Sequence, residues 1–303
     1  MKYNKILYIP FLLFLALCGG CTEDIIIDVE DGEQLIGIYG CVTNEYKRHQ
    51  ITISKTGDFY GKGEPEMVTG AEVTITDNDS VAYTLKESEP GIYEMTEPMK
   101  GESGHIYTLH VKTHENGQIS EFFATDTMMP AIEAIDSMKV LPYTFNNKTF
   151  DDYFKVCPYF QTLKGKRTSY VGRIEINGKL VTDTLTECAT TRFGLMAGVY
   201  FNGPELEILY KDVDFPVGFY TLNAEKDDEK IKVGDEITLS ISVVSDGYYR
   251  FINDVENSSG SNPFYGSPSN VRSNIKPEKR AIGFFYTCAT TKGTTIVTKE
   301  AFE

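Results

Sequence analysis

Four histidines, six cysteines and forty-four acidic side chains are the residues with which this chain could do chemistry. His110 and His114 share parity on one strand pattern, so both should stand on the same face, with His105 close by. Three imidazoles in that arrangement would suit a transition metal. Solvent-facing histidines on a hairpin produce the same spacing, and that is the reading adopted; His49 stands apart from the three. The carboxylate pairs Asp212/Asp214 and Asp227/Asp228 could supply oxygens to Ca²⁺, but acidic decoration of turns accounts for them more simply. An acid pair of the glycosidase kind could form from so many carboxylates, and nothing in the order of residues singles one out. No Gly-x-Ser-x-Gly elbow occurs, and Gly61-Lys62-Gly63 lacks the third glycine and the strand context of a phosphate or dinucleotide loop. The chain is therefore read as non-catalytic, with no catalytic, metal or cofactor-binding residue assigned.

The thiols are more telling. Lys2 and Lys5 open the chain, and Ile6 to Leu17 is apolar apart from Tyr8 and Pro10. Cys18-Gly19-Gly20-Cys21 follows, and then Thr22-Glu23-Asp24. Basic start, apolar centre and small residues at the cut make a secretory signal. The apolar run, about a dozen residues, falls short of the roughly 20 that span a bilayer as a helix. A cysteine directly after two glycines is the pattern of a bacterial lipoprotein signal, cut before Cys21, whose sulfur then takes the lipid. Cys18 is the poorer acceptor, because bulky Leu17 precedes it. Glu23-Asp24 resembles the short acidic tag that directs lipoproteins of the Bacteroidetes type to the cell surface. The expected organisation is a signal peptide over 1–20 and an acidic tether over 21–34.

Removing 20 of 303 residues leaves 283, enough for two ordinary domains. Lys2 and Lys5 leave with the signal, so 29 basic side chains become 27 against an unchanged 44 acidic ones, a formal −17. So acidic a surface repels nucleic acid and bare anionic head groups. Four cysteines remain for structure: Cys41, Cys157, Cys188 and Cys288. In an oxidising exterior they could form two disulfides in three pairings. Cys157 with Cys188 is preferred, since both fall in one segment between the same strands, and buried free thiols are the alternative. None sits in a Cys-x-x-Cys spacing.

The elements that position these groups are mostly strands. Leu35–Val42 is one apolar run; Gln50–Ser54 and Ala71–Thr76 alternate apolar with polar, the signature of half-buried strands. Val81–Leu85, Gly91–Met95 and Ile106–Val111 follow, and Asn116-Gly117 turns the chain into Ile119–Ala124 as a hairpin. About seven short strands within a hundred residues predict a β-sandwich over 35–130. Thr69–Ile75 with Gly91-Ile92-Tyr93 resembles prealbumin-like or immunoglobulin-like modules. A second β-rich domain is expected over 131–303. Its strands are Arg173–Val181 (turning at Asn177-Gly178), Leu206–Tyr210, Gly218–Leu222, Glu236–Val244 and Ala281–Tyr286. Tyr248, Phe251, Ile252 and Val255 fall on one face of a single short helix, which Ser245 or Asp246 would cap. The Ser/Gly/Asn/Pro-rich stretch 257–270 carries Phe264 and Tyr265, a candidate ligand contact for sugar or peptide, with burial against the helix as the plainer account.

Several stretches together resemble the Bacteroidetes outer-membrane lipoprotein family catalogued as domain of unknown function 4249. They are Gly40–Glu45, Ile51–Thr56, Val68–Val73, Leu209–Phe215, Asn262-Pro263-Phe264 through Pro268–Val271, Ser273-Asn274-Ile275 and Ile282–Phe285. Where Ser273 stands, the family usually has glycine. The resemblance implies a lipid-anchored outer-membrane protein whose partner is a TonB-dependent transporter, and it implies no reaction. The expected function is an accessory or ligand-binding lipoprotein facing the cell exterior. The alternative is a structural adhesin or pilus-type subunit, for which the end of the chain at Phe302-Glu303 offers no clear donor strand. A hydrolase is a third reading that no motif supports.

Overall fold

In a computed structural model, the residues described are 34–56, 65–78, 80–115, 117–145, 148–160, 169–181, 220–223, 226–227, 229–259 and 271–303. All lie in one compact unit, Gln34–Glu303. The strands in chain order are β1 (Ile36–Thr43), β2 (Gln50–Lys55), β3 (Glu72–Asp77), β4 (Val81–Glu89), β5 (Ile92–Met95), β6 (Ile106–Glu115) and β7 (Gln118–Thr127). Then come β8 (Ser137–Phe145), β9 (Lys148–Tyr159), β10 (Ser169–Ile176), β11 (Lys179–Leu180), β12 (Tyr220–Asn223), β13 (Glu236–Val244) and β14 (Ala281–Ile296), with helix α1 (Asp246–Ser259) before the last strand. The fold is all-β with one helix among the described residues, the class expected from the alternation. The expected strand over 206–210 lies outside the described residues.

Eleven strands form one sheet in the order β11-β10-β13-β14-β1-β2-β5-β4-β3-β6-β7, and β12-β9-β8 form a second. Local turns explain much of this order. Asn177 and Gly178 both take positive φ, 50° and 77°, as a two-residue hairpin turn requires. The β6–β7 hairpin pairs in register from Ile106↔Thr127 to Glu115↔Gln118. Tyr93 does the work of a corner post: its buried hydroxyl donates to the Val68 carbonyl at 2.8 Å and accepts from the Ala71 N–H at 2.9 Å.

The decisive contact is not local. β1 lies parallel to β14, from Ile36↔Ala281 to Thr43↔Cys288. Residues 35–130 and 131–303 therefore share one hydrogen-bonded sheet. Parallel strands are favoured where both faces are covered; here the inner face is covered and the outer face is covered in part. Ile36, Ile38 and Val42 of β1, with Phe285 and Ala289 of β14, face a core filled by β2–β7. Tyr39, Cys41, Phe284, Tyr286 and Cys288 face the other way, toward Tyr248, Phe251 and Ile252 of α1. A third cluster joins β8, β9 and β12 to β10 and β13 through Val156, Phe154, Leu222, Ile174, Leu239 and Ile241. Each such side chain contributes about 1.5–3 kcal/mol by leaving water. The Ser245 hydroxyl accepts from the Tyr248 N–H at 3.3 Å, capping α1 as expected.

β14 changes partners along its length: residues 281–288 pair with β1, and 288–296 pair with β13. Each half leaves backbone groups that no strand takes, and side chains take them instead. The Asn274 carboxamide accepts from the Phe285 N–H at 3.0 Å and donates to the Phe285 carbonyl at 2.7 Å. Ser273 donates to the Gly283 carbonyl at 2.8 Å. Asp126, from β7, accepts from the Thr287 N–H at 2.7 Å. Asn44, just past β1, repeats the carboxamide clamp on Thr290, at 2.8 and 3.1 Å. Through Asp126 and the Phe123–Lys276 bridge the sheet curls, bringing its β7 edge back against β14.

Candidate functional site

The outer face of β1 and β14 is covered by α1 at one end and left open at the other. The opening is a cleft of about 390 Å³, within the size range of small-molecule sites. Tyr39, Gly40 and Cys41 of β1 and Tyr286 of β14 line it, with Gln50 and Thr52 of β2. Lys47, Arg48 and His49, from the β1–β2 connection, and Arg173 of β10 complete the lining. In a chain of net charge −15, three cations surround this cleft, and no Asp or Glu is among the described residues that line it.

The lining is protonated. Burial pushes the Tyr39 phenol up to about 12 and the Tyr286 phenol well above its ordinary value. Tyr39 shares a 2.7 Å hydroxyl–hydroxyl hydrogen bond with Tyr248, whose ring stacks on Tyr286 with centroids 3.6 Å apart. Burial likewise raises the Cys41 thiol, outweighing the nearby charges of Lys47 and Arg173. Cys288, in the neighbouring cluster against α1 and not in the lining, is raised to about 12 by the same cause. Thiols held protonated are poor nucleophiles, so the surface offers hydrogen bonds and not covalent attack.

The walls are charged. Lys47 meets Glu45 at 2.9 Å, and Lys292 reaches the other oxygen of the same carboxylate at 3.1 Å. Two ammonium groups therefore share one anion. Arg48 lies 3.8 Å from Glu94, whose other oxygen accepts from Gln50 at 3.1 Å. Between these groups His49 is buried, 1% exposed. Its Nε2 donates to the Met99 carbonyl at 3.2 Å. Nδ1 is then a bare acceptor, buried and without a partner among the described residues. Burial, helped by the Lys47 charge, lowers the ring to about 4, so it is neutral near pH 7.

Of the residues singled out from sequence, His105, His110, His114, Cys157 and Asp227 do not line the cleft. Cys21, Cys188, Phe264 and Tyr265 fall outside the described residues, as do Asp212, Asp214 and Asp228. Cys157 is a buried free thiol in β9, raised to about 11 by burial. Asp227 pairs with Lys230 at 2.6 Å. His110 and His114 do share the exposed face of β6, but each takes its own carboxylate: Glu121 at 3.1 Å and Glu72 at 3.4 Å. His105 takes Asp77 at 2.7 Å. Among the described residues no group of three His, Cys, Asp or Glu side chains is placed to hold a metal. The cleft itself was not foreseen. Its one local signal was Lys47-Arg48-His49, a basic run between two strands of an acidic chain.

Fold and cleft together define an all-β protein with a ligand-sized, cation-walled recess on the outer face of its main sheet. The chain belongs to the family described as domain of unknown function DUF4249, which matches residues 22–294. No curated protein matches it. Among solved structures it is similar to a DUF4785 family protein from Legionella pneumophila, at 9% identity with a TM-score of 0.22. That match covers 69% of this chain and 52% of the other, so the chain spans about half of that protein's length.

Proposed function

We propose that this protein is a non-catalytic lipoprotein of the outer membrane, held by lipid on Cys21 and facing the cell exterior. There it binds a ligand beside a TonB-dependent transporter. The observation that carries the ligand-binding part is the cleft: three cations over a lining of two protonated phenols and one protonated thiol, built to hold a molecule and poorly suited to attack one. The leader ending in Gly19-Gly20, directly before Cys21, supports the anchor. No helix among the described residues is long and apolar enough to cross a membrane, so the described part of the chain supplies no helical span in place of a lipid.

The test is affinity purification of the full chain from detergent-solubilised membranes, with palmitate labelling alongside. A TonB-dependent barrel should come with the wild-type protein, and label should disappear in Cys21→Ala. Recovery of the protein alone, under conditions that keep other transporter complexes together, would overturn the partnership. Label persisting in the variant would overturn the anchor.

A further inference from the structure

The cleft narrows the chemistry of what it holds. Two features of the residues around it are incomplete. Lys47 and Lys292 divide one carboxylate, Glu45, leaving positive charge in excess on that side. Arg48 is only loosely matched, 3.8 Å from a Glu94 carboxylate that also accepts from Gln50. Cations in this state gain most from a further anion. The second feature is His49. With Nε2 committed to the Met99 carbonyl, its Nδ1 is an acceptor with no donor among the described residues, closed to solvent until a side chain at the cleft floor shifts. Buried acceptors are rarely left unmet, because each costs about 1–3 kcal/mol. A ligand that filled both gaps would carry an anionic group and, beside it, a hydroxyl able to donate. The lining adds Tyr39 and Tyr286 and no fixed negative charge to oppose such a molecule.

Building on the ligand-binding reading above, we propose that the cleft is a site for a small hydroxylated anion, a sugar acid or sugar phosphate in chemical class. Lys47, Arg48 and Arg173 hold the carboxylate or phosphate, and His49 Nδ1 accepts from a neighbouring hydroxyl. The rest of the acidic surface keeps such anions from binding elsewhere.

Calorimetric titration of the full chain in detergent, with no transporter present, tests this. The probes are D-glucuronate, glucose 6-phosphate, D-glucose and inorganic phosphate. Glucuronate and glucose differ only in the carboxylate, and the two anionic sugars separate carboxylate from phosphate recognition. At least one anionic sugar should bind, weakening as salt is raised, while glucose stays silent and inorganic phosphate binds less tightly. Lys47→Met/Arg48→Gln should lose about tenfold or more in affinity, the worth of one charge-assisted hydrogen bond. His49→Gln keeps an amide donor for Met99 and removes the Nδ1 acceptor. It should lose affinity for the sugar anion while leaving that for inorganic phosphate unchanged. Equal binding of glucose, or no binding by any probe to a folded chain, would overturn the proposal. Either failure leaves co-purification with a transporter untouched, so the two readings fall separately.

Discussion

The seam between β1 and β14 and the cleft on its outer face share residues yet treat polar groups in opposite ways. Along β14, the groups that no strand pairs at Gly283, Phe285, Thr287 and Thr290 are taken by Ser273, Asn274, Asp126 and Asn44. At the cleft, His49 Nδ1 has no partner among the described residues, and two lysines share one glutamate. A saturated network specifies one backbone arrangement; an unsaturated one keeps hydrogen-bonding capacity for something else. The seam is thus where the fold is decided, and the cleft is where the protein can meet another molecule. Substitutions should sort accordingly, with stability lost at the seam and binding lost at the cleft.

The largest effect is expected at Gly283. Its φ is +108°, and a side chain there would collide with the Ile38 carbonyl of the paired strand. Gly283→Ala should cost about 4 kcal/mol, from strain and from prying β1 off β14. Urea unfolding reads this directly, and a wild-type midpoint would break the seam side of the comparison.

Acid should act on the cleft side. His49 titrates near 6.5 when unfolded and at about 4 when folded. Between those values the unfolded chain binds the proton and the native chain does not, so stability falls with falling pH across that window. The contribution is fully present above pH 6.5 and gone below pH 4, and amounts to about 3 kcal/mol at most. Asp126 works in the opposite sense, since burial raises its carboxyl above the ordinary range. Comparing wild type with His49→Gln cancels the Asp126 part. The wild-type profile should slope more steeply between pH 6.5 and 4, and parallel profiles would contradict the burial of a neutral imidazole.

Asn274→Ala removes both bonds to Phe285 and should cost about 2 kcal/mol, seen as a lower thermal midpoint. The smallest effect is expected from Lys47→Met/Arg48→Gln. Both side chains are about half exposed, and surface ion pairs contribute less than about 1 kcal/mol each. A large drop in midpoint here would show that the cations serve the fold.

The local half of this arrangement was legible in the residues. Alternation marked β2, β3, β6 and β13, Asn177-Gly178 marked a hairpin, and the stripe Tyr248, Phe251, Ile252 marked α1 with its Ser245 cap. The stretches Ser273-Asn274-Ile275 and Ile282–Phe285, which carried the family resemblance, turn out to bond to each other. Asn274 holds Phe285, so the resemblance there reports a structural clamp; Ser273, where the family usually has glycine, adds its own bond to Gly283. The parallel joining of β1 to β14 was not legible. It unites the two ends of the described chain, and a strand buried on both faces shows only as an apolar run with no partner indicated. The cleft was hidden for the same reason. Lys47-Arg48-His49 was visible as a basic run, but Arg173 joins it only through the sheet order β10-β13-β14-β1-β2. Of four histidines, the three close together drew notice; the one apart, His49, has a buried ring nitrogen with no partner among the described residues.

The division between seam and cleft is tested most directly by thermal midpoints with and without D-glucuronate, or glucose 6-phosphate if that anion binds better. The comparison takes wild type, Asn274→Ala and Lys47→Met/Arg48→Gln side by side. The account predicts that Asn274→Ala melts lower yet keeps the ligand-induced rise, while Lys47→Met/Arg48→Gln melts with the wild type and loses that rise. Midpoint and ligand response falling together in both variants, or the clamp variant losing the rise while the charge variant keeps it, would contradict the account.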